Sequence, residues 1–202
     1  MGFFLRKQPK ISVSLGIRAS GTEDIFMIKA IVYTSNTGYT GEYAKLLGEE
    51  TGLPVFPLDS AAKSLEHGSE IIYLGWLMAG TVKGYQKAAR LFRAVAVCGV
   101  GMGATGSQIT DIRKTNRLPE SLPVFTMQGG FSLGRLKGIY WLMMKLMSMT
   151  VGKSLSEKTD RTPDEDDMLE LMKNGGSRVG KDNLKALLEW YSLCKEKSDE
   201  AV

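Results

Sequence analysis

Lys29-Ala30-Ile31-Val32-Tyr33-Thr34-Ser35-Asn36-Thr37-Gly38-Tyr39-Thr40-Gly41 is the stretch on which the reading of this chain turns. Its first half, Lys29 to Thr34, is a β-branched and aromatic run that predicts a strand. The second half gathers hydroxyl side chains around Gly38 and leads into Gly41 to Glu50, where Tyr43, Leu46 and Leu47 recur at helical spacing. A strand entering such a loop just before a helix brings backbone N–H groups and up to three hydroxyls around one point, which suits a phosphate. The helix N-terminus adds partial positive charge, and Gly38 lets the backbone approach without a Cβ in the way. Hydrogen bonds to a charged acceptor contribute roughly 1.5–3 kcal/mol each, so a few of them hold a terminal phosphate without a Lys or Arg in the loop. The nearest lysine, Lys45, lies well inside the helix, which excludes a Walker loop. An ordinary strand-to-helix turn capped by Ser or Thr is the competing reading.

Working outward, short β-rich runs alternate with helical patterns, the signature of parallel βαβ units. Strands are expected at Lys29 to Thr34, Leu53 to Pro57, Glu70 to Gly75, Ala94 to Gly99 and Pro123 to Met127. Tyr85, Ala88, Ala89 and Phe92 give Val82 to Phe92 a helical period. Leu136 to Met149 is an unusually apolar helix, and a last helix is expected from about Asp182 to Lys195. Thr162-Pro163-Asp164-Glu165 has the form of a capping box with proline at the first helical position. The acidic cluster Asp164 to Asp167 then reads as a solvated helix start rather than a metal site. Gly175-Gly176 marks the turn before the last helix.

Composition narrows the functional classes. The chain has 202 residues and 43% apolar content, enough for one α/β domain without disulfides. Cys98 and Cys194 are far apart and lack metal-type spacing, which fits a reduced, cytoplasmic setting. His67, the single histidine, precedes a strand in a polar stretch and reads as a surface residue. No histidine triad or His-rich metal site is expected. Lys plus Arg exceed Asp plus Glu by 26 − 22 = 4, an excess too small to select a partner, and no basic run interleaves with aromatics as nucleic-acid binders require. No apolar run reaches the roughly 18 residues that span a bilayer. Residues 1–26 make a poor signal peptide, because Lys7, Pro9, Lys10 and Arg18 interrupt any apolar core. They read as an extension, either a mis-called start ahead of Met27 or a loosely attached tail, in which Ile11 to Leu15 could add an edge strand. Residues 27–202 read as a single domain.

At the phosphate loop the chain resembles the flavodoxin superfamily, whose loop reads Ser/Thr-x-Thr-Gly-x-Thr directly after the first strand. Ser35, Thr37, Gly38 and Thr40 match in order, while Tyr39 stands where the family usually has Asn. The resemblance implies an α/β fold with a doubly wound five-stranded parallel sheet and helices on both faces. It also implies FMN, with its phosphate held at Ser35, Asn36, Thr37, Gly38, Tyr39 and Thr40, near the switch between the first and third strands. Gly75 to Gly80 is similar to the family loop that covers one face of the isoalloxazine, which implicates Trp76, Leu77, Met78, Ala79 and Gly80. Trp76 either stacks there, worth roughly 0.5–1.5 kcal/mol beyond its buried area, or packs on the sheet edge. Ala94 to Gly101 resembles the fourth strand, ending in a Gly-x-Gly turn beneath the flavin at Gly99, Val100, Gly101 and Met102, with Cys98 in the core. Gly101 to Gly106 also spells G-x-G-x-x-G, but it does not follow the first strand of a βαβ unit, and no acidic residue ends the next strand.

Ile139 to Met149 is apolar except for Lys145 and Ser148. Three readings stay open: a helix buried against the sheet or a partner subunit, an interfacial membrane helix over 135–150, or a flexible lid over a hydrophobic substrate. Here the pattern looks like the flavodoxin-domain group related to menaquinone-dependent protoporphyrinogen dehydrogenase. That resemblance implies an FMN-dependent oxidoreductase or electron carrier passing electrons between a hydrophobic donor and a quinone. The flavin supplies the chemistry in such proteins, and no residue identifies itself as a catalytic acid or base. The alternative is an interaction or regulatory module of the same fold with weak or no FMN binding.

Overall fold

Strand β1 (Ala30–Thr34) lies between β2 (Val55–Pro57) and β3 (Glu70–Met78) in a computed structural model that describes residues 27–136 and 138–200. The expected extension over residues 1–26, with its edge strand at Ile11 to Leu15, lies outside the described residues, as does Lys137. Beyond β3 come β5 (Arg93–Gly101) and β6 (Val124–Gln128), so the main path runs β2-β1-β3-β5-β6 with every pairing parallel. All five expected strands are present along this path. A sixth, the short β4 (Thr81–Val82), pairs antiparallel with the end of β3, so the sheet is mostly parallel rather than wholly so.

Parallel strands joined by helical crossovers bury both faces, and the side chains alternate accordingly. On one face Ala30, Val32, Ile71, Tyr73 and Val97 pack against α2 (Leu58–Ser64), α3 (Tyr85–Leu91) and α4 (Ile109–Asn116) through Leu58, Ala61, Ala88 and Ile112. On the other face Ile31, Ile72, Leu74, Ala96, Cys98 and Val100 pack against α1 (Tyr39–Thr51) through Tyr43, Ala44 and Leu47, with Leu187 joining them. Leu187 belongs to α7 (Lys185–Glu200), which a 3-10 turn at Lys181–Leu184 introduces. Burying each Leu or Ile fully is worth about 1.5–3 kcal/mol, so this double layer supplies the main stabilisation.

The C-terminal third departs further from sequence expectation. A small antiparallel pair, β7 (Gly130–Phe131) with β8 (Gly176–Ser177), brackets a 3-10 turn (Leu133–Arg135), α5 (Gly138–Glu157) and α6 (Pro163–Asn174). The expected capping box forms: Thr162 Oγ1 accepts from the Glu165 N–H at 3.3 Å, and the Thr162 N–H donates to Glu165 Oε2 at 2.9 Å. Three of the four carboxylates in the acidic cluster are paired with cations. Glu165 pairs with Lys158, Asp166 with Arg161 and Asp167 with Arg178, each within 2.8 Å. Arg161 also donates to the carbonyls of Leu155 and Lys158, which closes the last turn of α5.

Gly75 to Gly80 is not the loop that the sequence suggests. Strand β3 continues through Met78 because β4 folds back onto it, pairing Leu77 with Val82 and Met78 with Thr81. The two-residue connection has φ of 47° at Ala79 and 74° at Gly80, the positive values that a type I′ hairpin demands. Ala79 is exposed and carries a Cβ in the left-handed region, which costs about 1 kcal/mol. Replacing it by Asn, which tolerates that region, is expected to raise stability by about 0.5–1 kcal/mol in urea denaturation.

Candidate functional site

The chain leaves β1 toward β2 on one side and returns to β3 on the other, and such a switch in direction opens a crevice beyond the carboxyl ends of the two strands. Sheet register brings the three sequence-predicted segments to this end in one row. Thr34 pairs with Gly75, and Gly75 pairs with Gly99. Ser35 and Trp76 therefore emerge side by side, with Val100 opposite Trp76.

At the end of β1, Gly38 adopts φ 100°, and helix α1 begins at Tyr39. Ser35 Oγ accepts the Gly38 N–H at 3.1 Å, which closes the loop on itself. The next three amides, of Tyr39, Thr40 and Gly41, belong to the first turn and have no carbonyl within the helix to bond. Among the described residues, Asn36 Nδ2 is the buried side-chain nitrogen or oxygen left without a hydrogen-bond partner. An orphaned buried donor costs roughly 1–3 kcal/mol, so the loop holds donor capacity that its own fold does not use. Thr37 is partly buried and Thr40 almost fully buried at the same turn.

Two features of this loop were not expected. Tyr39 does not present its hydroxyl to the loop. Its ring is buried against Gly130, where a Cβ would lie 2.7 Å from the ring, and its hydroxyl donates to the Gly176 carbonyl at 3.0 Å. Only the Tyr39 backbone remains for a ligand. The loop also acquires a cation. Arg135 donates to the Thr37 carbonyl at 3.1 Å, its guanidinium lies 5.2 Å from the centre of the Tyr39 ring, and Glu42 sits 3.6 Å away. Arg135 reaches the loop from ninety-eight residues away in sequence, so no local pattern at residues 35–40 announces it.

The segments expected against a flavin ring behave differently. Trp76 is partly buried and meets Tyr140 of α5 edge to face at 5.3 Å, with Lys83 Nζ 5.9 Å from its ring centre. Tyr140 and Lys83 are therefore neighbours that sequence reasoning missed. Leu77 turns onto β5: a Cβ on Gly99 would lie 2.8 Å from Leu77 Cδ2, and one on Gly101 would lie 3.1 Å from Cδ1. Gly99 to Gly101 is thus strand, still paired with Thr126 to Gln128, and not a Gly-x-Gly turn. Its glycines make room for Leu77. Val100 is core, and the Met102 carbonyl accepts from Gln128 Nε2 at 3.3 Å. Met78, Ala79 and Gly80 belong to the hairpin, where the Gly80 carbonyl accepts from Asn116 at 2.8 Å.

Beneath the crevice, the Tyr73 hydroxyl lies 2.8 Å from both Thr34 Oγ1 and the Lys83 carbonyl. Burial pushes its pKa up to about 12. Cys98 is fully buried, and burial raises its thiol pKa strongly, which makes it a core residue as expected and an unreactive one. His67 is exposed at the opposite end of the sheet, just before β3. The crevice thus gathers amides, hydroxyls, one orphaned amide donor and one guanidinium, donors of the kind that suit an anion. Comparison of the chain with protein-family models, curated proteins and solved structures found no match.

Two outcomes are expected. Gly99→Ala should destabilise by about 1–3 kcal/mol in denaturant unfolding through overpacking on Leu77, with a large part recovered in the Gly99→Ala, Leu77→Ala double variant; a simple sum of the two losses would contradict this packing. A tyrosine in the unfolded chain ionises near pH 10, so the stability that protonated Tyr73 contributes is intact below about pH 10 and is lost as pH rises toward about 12. Compared with Tyr73→Phe, the wild type should lose about 2 kcal/mol more between pH 8 and about pH 11.5.

Proposed function

We propose that this chain is a flavodoxin-like, doubly wound α/β protein that binds FMN and serves as an oxidoreductase or electron carrier. The observation that carries the reading is the turn from β1 into α1: free first-turn amides, the Ser35, Thr37 and Thr40 hydroxyls, and the orphaned Asn36 Nδ2. The strand order β2-β1-β3-β5-β6, with apolar clusters on each face, supports the fold assignment, since flavodoxins share that order once the short β4 is set aside.

In this reading the first-turn amides of Tyr39, Thr40 and Gly41, with Asn36 Nδ2 and the Thr37 and Thr40 hydroxyls, hold the phosphate. Arg135 adds a charge-assisted donor at the rim of the loop. Trp76, with Tyr140 and Lys83 against it, forms an aromatic wall at the end of β3 where the flavin ring would rest. Bound FMN would accept and pass on one or two electrons. A hydrophobic donor and a quinone are the partners that this chemistry and the apolar α5 suggest. No side chain is assigned a catalytic proton. The protein's part is to bind the phosphate, orient the ring and set its surroundings.

A second reading, an interaction or regulatory module with weak or no FMN binding, is favoured by one observation. Leu77 fills the space above Gly99 and Gly101 that a flavin-contacting turn would otherwise leave open. Titration decides between the two. FMN fluorescence should be quenched on adding protein, riboflavin should bind at least about tenfold more weakly because it lacks the phosphate, and Thr37→Ala with Thr40→Ala should weaken FMN by about tenfold or more. Unquenched FMN at micromolar protein would leave the module reading in place.

A further inference from the structure

Helix α5 spans 20 residues, about 30 Å, and buries none of them. Ile139, Leu142, Met143, Leu146 and Met149 form a stripe at helical spacing, each between 45% and 63% exposed, and Trp141 borders it at 40% exposed. The side turned inward, with Tyr140, Met144, Met147 and Leu155, is partly buried, and the helix packs mainly on α6. An apolar stripe this long left facing water calls for a partner.

Charge indicates which partner. From Ser121 to Ser156 the chain contains no Asp or Glu, although it has 22 elsewhere, while Arg135, Lys137, Lys145 and Lys153 fall within that span. Lys145 Nζ sits 4.8 Å from the centre of the Trp141 ring at the margin of the stripe. Lys153 is exposed near its far end, 3.8 Å from Glu157 just beyond the acid-free span. A second copy of this chain would bring like charges together. An anionic bilayer meets both the apolar stripe and the cations, and it suits an aromatic residue at the border. No described helix is long and apolar enough to cross a membrane, so the contact is one of lying on the surface.

We propose that α5 docks on anionic lipid bilayers, lying parallel to the surface with Ile139, Leu142, Met143, Leu146 and Met149 in the acyl boundary and Lys145 and Lys153 at the headgroups. The inference stands apart from flavin binding, and its test uses no flavin. The full chain should pellet with phosphatidylcholine vesicles containing phosphatidylglycerol, and far less with phosphatidylcholine alone. Leu142→Glu with Leu146→Glu should weaken binding at least about tenfold, and Lys145→Gln about fivefold. Circular dichroism and urea unfolding of these surface variants should match the wild type. Brominated lipid should quench tryptophan emission of the wild type and spare that of Trp141→Phe. Absence of pelleting, equal binding to neutral vesicles, pelleting indifferent to the paired glutamates, or quenching unchanged in Trp141→Phe each overturns the proposal. So does a dimer that the paired glutamates dissolve in protein that ignores vesicles.

Discussion

From Ile71 to Gly75, strand β3 is buried on both faces, with β1 on one side and β5 on the other. No polar side chain can be placed there without a partner, so chemistry is confined to the ends of the strands. Parallel pairing then fixes which residues meet at those ends. Because Thr34, Gly75 and Gly99 share a row, a shift of one residue in β3 would move each of its core side chains to the opposite, differently packed face and separate Trp76 from the loop after β1. The geometry of the crevice is in this sense a by-product of hydrophobic burial some residues below it.

The loop at the end of β1 combines two kinds of donor that suit an anion. Amides and hydroxyls act at short range and are held by the helix, with Ser35 spent on fixing the turn. Arg135 acts over a longer distance, is more than half exposed, and is already engaged by a carbonyl and by Glu42. Its contribution is therefore reduced by solvent screening and by competition. An anion in this loop would rest chiefly on the neutral donors, with the guanidinium adjusting how tightly it is held.

What could be read in the sequence was local, and what could not was tertiary. The strand-loop-helix at Lys29 to Glu50, the five parallel strands and the Thr162 capping box each rest on residues within a few positions of one another. The β3–β4 hairpin escaped because its left-handed first position is Ala79, which carries no turn signal, and because Trp76-Leu77-Met78 is apolar enough to continue a strand or to line a pocket. Gly99 and Gly101 resembled a turn because glycine marks both turns and close packing; only the position of Leu77 tells them apart. Arg135 and Tyr140 could not be assigned to the site, since the contacts that bring them there cross the fold. Helix α5 gave no single face by periodicity because its inward side, with Tyr140, Met144 and Met147, is as apolar as the exposed stripe.

The junction between the Leu133–Arg135 turn and α5 touches the crevice twice, through Arg135 on the Thr37 carbonyl and through Tyr140 on Trp76. A short stretch of chain is thus shared between the loop beneath it and the apolar stripe that extends from it. A ligand in the crevice and a partner on the helix would each bear on that same stretch, and any effect of one on the affinity of the other would be of equal size in both directions.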